Sequence, residues 1–437
     1  METKRLLKPR RSMIRIASKL VNIQRTRREF RKPSGFRFAI ADSIAFMDSE
    51  KWDEVAGRST LFLSRPYLRM LERSGPENIT VRYVLVFDGD TPVAAAYLQI
   101  ATVTGSRFGT PREIAFSRNP LRLVRGAFAP AARKFKAGLR ERVLVCGNLL
   151  SYGFHGVAFA PGADRRALWP AIAEAIYRIR RGEKLSGQTD FILIKDITPH
   201  EADDVSVLSN LSYRPLETEP NMMLDLPVEW KTYDHYLNSL ASKYRSSVRQ
   251  QILKPIDAAG CSIERIAGLD RYAEYLHALY MQVHEKAAVR PFTLPPGYFA
   301  ALEAVAGDRL LCTVIRHEGR IVGFIITLKD NDTAYGYHIG FDREAGESLP
   351  LYLRLLHASI ADALHLGCRH LSFGRTALEP KARLGAQPQP ITVWMRHRQP
   401  VMNLFVRNLL RVIPHEEPPE RNPFKKAAAK GADATDS

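Results

Sequence analysis

The chain has 437 residues, 45% of them hydrophobic and 25% charged, the composition of a globular protein of two or three domains. Lys and Arg number 64 against 46 Asp and Glu, a formal +18. No run approaches the ~20 apolar residues of a membrane-spanning helix, and no apolar segment with a small-residue cleavage site marks a secretory signal. Cys146, Cys261, Cys312 and Cys368 lie far apart without a C-x-x-C pair. They fit neither a disulfide framework nor a zinc ribbon, and favour a reducing cytoplasm.

Residues 1–37 hold thirteen Lys and Arg against Glu2 and Glu29, so +11 sits in this arm and +7 in the remaining 400 residues. Leu6, Leu7, Met13, Ile14, Ile16, Leu20, Val21 and Ile23 are interleaved with those charges at partial helical spacing. The pattern suits an interfacial helix on anionic lipid and equally a solvated tail.

A repeat organises the chain beyond this arm. Residues 81–99 (VRYVLVFDGDTPVAAAYLQ) and 309–328 (RLLCTVIRHEGRIVGFIITL) each read as two apolar runs joined by a turn, Asp88-Gly89 or Glu318-Gly319. Such turns tolerate positive φ and predict β-hairpins. A helix and a strand follow each hairpin: 165–181 with 190–195 in the first half, 351–366 with 369–373 in the second. The second half further predicts an amphipathic helix over 234–254 ended near Pro255, a strand over 261–266 and helices over 272–285 and from Pro295-Pro296 to Val305. Strands over 309–316, 320–328, 333–340 and 391–397 complete it. The fold class is α/β (α+β) with mixed sheets. The expected domains are a basic arm 1–37, modules 38–224 and 225–412, and a disordered tail 413–437 rich in Pro and charge.

Neither a G-x-x-x-x-G-K-[ST] loop nor a G-x-G-x-x-G occurs, and His284-Glu285 lacks the second histidine of a zincin helix. His365, Cys368 and His370 fall at a helix end and a strand start, where ordinary structural roles are expected, so no metal is assigned. Ligands of α/β sheets bind beyond strand ends. That directs attention to the strand AYGYHIG, where His338 between two glycines is a candidate base or substrate contact. It also marks Leu351 and Tyr352, at a helix start that suits an anionic ligand. The loop after Phe373 gathers Arg375, Glu379, Lys381 and Arg383; its cations suit phosphates, and Glu379 could take a proton from an amine.

The run from Ser239 to about Arg398 resembles the FemAB-like and related GNAT-type N-acyltransferases, including the acetyltransferase-like group tied to cellulose and peptidoglycan biosynthesis. LASKYRSSVRQQI, GRIVGFIITL, YGYHIGFD, HLGCRHLSFG and ALEPKARLGAQP carry the likeness, with Glu379, Lys381 and Gly385 its most specific part and His397 matching in the next strand. CGNLLSYGFHG and FILIKDI carry it more loosely in the first half. The resemblance implies two tandem GNAT-like domains and direct transfer of an acyl group from an acyl-CoA-type donor to an amine, in cell-envelope or exopolysaccharide metabolism. Backbone at Ile339, Gly340 and Phe341 would hold the acyl carbonyl, and the helix start at Leu351 and Tyr352 would face the donor phosphates. Glu379 would be the base and Lys381 an electrostatic clamp.

This chain lacks the Q/R-x-x-G-x-G/A loop of acetyl-CoA enzymes, having FDREAGESLP with Gly346 alone. It also lacks the coiled-coil arm of aminoacyl-tRNA-dependent Fem ligases. The alternatives are a noncatalytic scaffold in envelope biosynthesis, an aminoacyl-tRNA-dependent transferase, or another nucleic-acid binder. The expected location is the cytoplasm, with peripheral contact at the inner face of the membrane through residues 1–37.

Overall fold

The computed structural model describes residues 32–104, 140–287, 290–399, 403 and 421–425. The arm up to residue 31 lies outside them.

Alternating and continuous apolar runs give fifteen strands among the described residues: β1 (Arg37–Ala41), β2 (Ile79–Asp88), β3 (Thr91–Thr104), β4 (Arg140–Cys146), β5 (Val157–Phe159), β6 (Phe191–Ile197), β7 (Arg214–Glu217), β8 (Asn221–Asp225), β9 (Ser262–Ile266), β10 (Leu310–His317), β11 (Arg320–Asp330), β12 (Thr333–Phe341), β13 (His370–Ser372), β14 (Gln387–Gln389) and β15 (Thr392–His397). Both predicted hairpins form; Glu318 and Gly319 take φ of 51° and 77°, the twist a tight hairpin turn needs.

The first sheet runs β1-β2-β3-β4-β6-β15-β7, with β5 beside β3, and the second β9-β10-β11-β12-β13-β8-β14. The two orders are equivalent. Each sheet has antiparallel strands, then one parallel pair (β4 with β6, β12 with β13), then an antiparallel strand out of chain order. β15 enters the first sheet and β8 the second. Hence β8 spans position 224/225, the second sheet is built from the contiguous run β8 to β14, and the first is completed only by β15 from beyond that run.

The helix Arg165–Gly182 starts where Asp164 accepts from Ala167 N, and it buries Leu168, Trp169, Ile172, Ile176 and Ile179 on the first sheet. The helix Leu351–His365 covers the second sheet in the same way. One hydrophobic cluster crosses between modules, joining Trp52, Phe62, Tyr67 and Tyr97 to Tyr280, Tyr298, Phe299 and Tyr337. Polar contacts fix its register: Tyr67 Oη lies 3.0 Å from Tyr337 Oη, and the buried Asp330 carboxylate accepts from Leu61 N (2.7 Å) and Thr60.

Two expectations are corrected by one contact. The helix expected over 234–254 is broken into Tyr233–Ser239 and Ser242–Val248, then continues through a wider π turn, Arg249–Leu253, into Lys254–Ala258. Residues 421–425, assigned to a disordered tail, dock in that break. Ala241 N donates to Pro423 O (2.8 Å), Lys425 N donates to Ser239 O (3.0 Å), and Phe424 packs on Trp230 and Tyr236. Pro255 does not stop the helix, because the π turn just before it widens the backbone where proline lacks an N–H.

Candidate active site

The sheet of the second module is opened by a splay. β12 and β13 pair in parallel only over Thr333–Tyr335 with His370–Ser372 and then part. A register shift at Ile326/Thr327 leaves Tyr337 as an extra residue in β12 just beyond this point. Asp342 N donates to Val322 O, so alternation along the antiparallel ladder sets Gly340 and His338 in hydrogen-bonded pairs with β11. Ile339 and Phe341 therefore turn their backbone N–H and C=O toward the edge that β13 has left.

The glycines here answer to packing. A Cβ on Gly340 would fall 2.4 Å from Phe324 and 2.6 Å from Tyr280 N, so this glycine admits the helix Ala273–His284 against β12. His338 packs among the rings of Tyr337, Tyr298, Phe299 and Tyr280, with centroids 4.4 to 6.3 Å away. Burial, aided by His284, lowers its pKa to about 3, and Nε2 has no hydrogen-bond partner among the described residues.

Across the splay stands a charged cluster made by both modules. Gly374, Thr376 and Ala377 all have positive φ (71°, 65° and 47°), a strained turn for the last two. Lys381, 3% exposed, reaches back into it; Nζ donates to Arg375 O (2.6 Å) and Gly374 O (3.3 Å). Burial lowers Lys381 to about 7, with Glu219 pulling the other way. Arg375 pairs with Asp196 of the first module, which also holds Lys195 and accepts from Gly153 N (3.0 Å). Burial lowers the pKa of Arg375, and its Nε has no partner among the described residues. Tyr152, from the first module's loop, seats on Gly374, where a Cβ would fall 2.7 Å from its ring. Tyr152 is within electrostatic reach of Arg375, Tyr280 and Tyr352, which links the two sides of the splay.

The residues expected from the sequence thus divide. Arg375 and Lys381 meet, while Ile339 and Phe341 line the open edge. Glu379 faces outward, held by Arg383 (2.8 Å) and Arg421 (3.1 Å), and the Arg383 hydrogen bond above all lowers its pKa. Leu351 is buried in the core, and Tyr352 lies 6.3 Å from the Phe341 ring. The amides before that helix are already served, since Asp342 accepts from Glu344 N (2.9 Å) and Ala345 N (3.1 Å). His397 belongs to β15 in the first sheet, against Phe191. His370 pairs with Asp225 (2.8 Å), and no group of three or more metal-ligating side chains occurs among the described residues. Tyr152, Lys195 and Asp196 were missed. Their one sequence signal was a Lys-Asp pair inside the apolar strand FILIKDI.

The paired sheets, each with a splayed parallel pair, define a tandem GNAT-like architecture. Residues 242–382 match the family model described as acetyltransferase (GNAT) domain. A solved structure described as FemX aligns over 84% of this chain and 99% of its own, with a TM-score of 0.51 at 11% identity. A tandem GNAT protein from the clavulanic acid biosynthesis pathway covers the same shares at 0.48 and 13%, and L-PGS from Bacillus licheniformis aligns over 78% of this chain and 95% of its own at 0.43 and 10%. No curated protein matches the sequence. The chain has the FemAB-like, GNAT-type acyltransferase fold expected from its motifs, and the GNAT match supports acyl transfer in general.

Proposed function

We propose that the chain is an N-acyltransferase moving an acyl group from an acyl-CoA-type thioester to an amine of a cell-envelope or exopolysaccharide precursor, at the cytoplasmic side. The observation that carries this is the pairing of an open backbone edge with Arg375 and Lys381 across one splay. The thioester carbonyl accepts from the Ile339 or Phe341 N–H, which stabilises the oxyanion as the amine attacks. The C–N bond forms, the C–S bond breaks, and the thiolate leaves. Lys381, neutral above about pH 7, keeps two N–H donors for its carbonyl partners and a lone pair for the proton the amine sheds. Arg375, aimed by Asp196, offers its free Nε to acceptor or donor oxygens. Glu379, ionised and turned to solvent, has no part in this scheme.

One observation favours an aminoacyl-tRNA ester as donor. The loop that would cradle a CoA diphosphate is occupied by its own Asp342 and carries Glu344 and Glu347 nearby. The test offers acetyl-CoA and longer acyl-CoAs with glucosamine, reading thiol release and acylated amine by mass spectrometry. Arg375→Ala and Lys381→Met each lower both products by roughly 10²-fold or more in the proposed scheme. Unchanged turnover in both variants would remove the assigned site. Turnover only with aminoacyl-tRNA would reassign the donor, and none with either would favour the noncatalytic scaffold.

A further inference from the structure

The charge of this chain is more localised than the arm alone suggests. Residues 1–31 carry eleven Lys and Arg against Glu2 and Glu29, and residues 105–139 carry eight against Glu113. Together they hold +16 of the +18, leaving +2 for all other residues. Both segments join the described structure on one side of the first module. Ser34 N, just after the first, donates to Glu174 of the helix Arg165–Gly182 (2.7 Å). β4, just after the second, lies beside the end of that helix, where Asp190 N donates to Arg142 O (3.1 Å) and Arg142 donates to Gly187 O (2.7 Å).

That side is itself built for an anion. A bay of about 290 Å³ is lined by Arg180, Arg181, Lys184 and Arg398 together with Tyr177 and Thr189. Burial and the like charges of Arg396 and Arg398 lower the pKa of Arg180, so the cations repel one another. Asp190 is engaged by Arg398 (3.1 Å). Thr189 is 3% exposed, and its hydroxyl has no hydrogen-bond partner among the described residues. Tyr177 also lines a second cavity of about 700 Å³, with apolar walls from Phe36, Pro170 and Leu211 and a single carboxylate, Glu174. Leu185, at the rim of the helix end, is fully exposed, and Tyr177 is 39% exposed.

We propose that this face of the first module docks on an anionic phospholipid bilayer, with headgroup phosphates in the basic bay and the apolar groove and Leu185 at the acyl boundary. Cations alone would suit a nucleic acid equally. An exposed leucine, an apolar groove and flanking basic segments interleaved with Leu, Ile and Phe instead match an interface with both charge and hydrocarbon.

The test is cosedimentation of the full chain with phosphatidylcholine vesicles, with and without phosphatidylglycerol, and needs no acyl donor, so it stands or falls apart from the transfer reaction. The wild type binds only the phosphatidylglycerol vesicles, more weakly as salt rises. Replacing Arg180, Arg181 and Lys184 together by Ala, with both basic segments intact, weakens binding roughly hundredfold. Arg180→Lys with Arg181→Lys retains it, and Leu185→Ser weakens it severalfold. Wild-type binding by the triple Ala variant overturns the proposal, as does equal binding to phosphatidylcholine alone. If short RNA strips the wild type from vesicles at equal salt, the face belongs to nucleic acid and the proposal also fails. Should the triple variant not fold, the Lys pair and Leu185→Ser decide.

Discussion

Lys381 concentrates the residue-scale argument. Its ammonium sits in a site with two carbonyls and, among the described residues, no bonded carboxylate, so burial favours the neutral amine, and a group near pH 7 can accept a proton at working pH. Turnover should therefore rise with pH through about 7 and level off. Lys381→Met should remove that limb and lower kcat/KM by roughly 10²-fold or more, whereas Glu379→Gln should stay within about twofold; a kcat/KM–pH profile of all three proteins checks this.

Three histidines carry a second prediction. His155, His338 and His357 are each pushed to about 3, burial being the leading cause. Their folded values lie below the unfolded 6.5, so the unfolded chain binds protons first as pH falls. Stability is complete above about 6.5 and is lost toward 3, with a slope of up to about 4 kcal/mol per pH unit for three protons. Urea midpoints measured between pH 7 and 4 report it, and a flat profile would show that these rings are solvated.

At the scale of elements, periodicity identified both hairpins, the helices over 165–181 and 351–366 and most strands of the second half to within a few residues, because alternation and i, i+3, i+4 spacing are local properties. It marked neither β1, β4, β5 and β7 nor the helices Ser49–Ala56 and Arg65–Ser74. It failed where a distant segment intervened. The break at Leu240–Ala241 exists because residues 421–425 supply backbone partners there, which no window around residue 240 contains. Gly340 shows the same limit: sequence places it beside His338 at a candidate ligand contact, and structure fills the space next to it with the helix Ala273–His284. Gly340→Ala should force that helix away from β12 and cost about 1–3 kcal/mol by overpacking, measured as a lower urea midpoint. An unchanged midpoint would mean that Phe324 and the helix yield freely.

The whole molecule is bound by β15, which returns from beyond the second sheet to complete the first, and by the aromatic cluster shared between modules. Calorimetry should record one transition for the two modules. Residues 38–224 expressed alone should fail to fold, since they lack β15 and leave β6 and β7 without the strand between them. Two separated transitions, or a folded isolated first half, would show that β15 is dispensable.

What the sequence determined by itself was composition, the twin hairpins, the GNAT-like motifs and the gathering of Arg375 and Lys381 in one loop, all properties of neighbouring residues. Only the tertiary structure decided which charges meet. It turned Glu379 to solvent, brought Asp196 and Tyr152 from the first module to Arg375, and opened β12 beside them. It also gave the +18 its geography, since both basic segments join the fold beside the bay of Arg180, Arg181 and Lys184. The reason is physical: side-chain spacing is set along the chain, but desolvation and charge pairing are set by what packs across it.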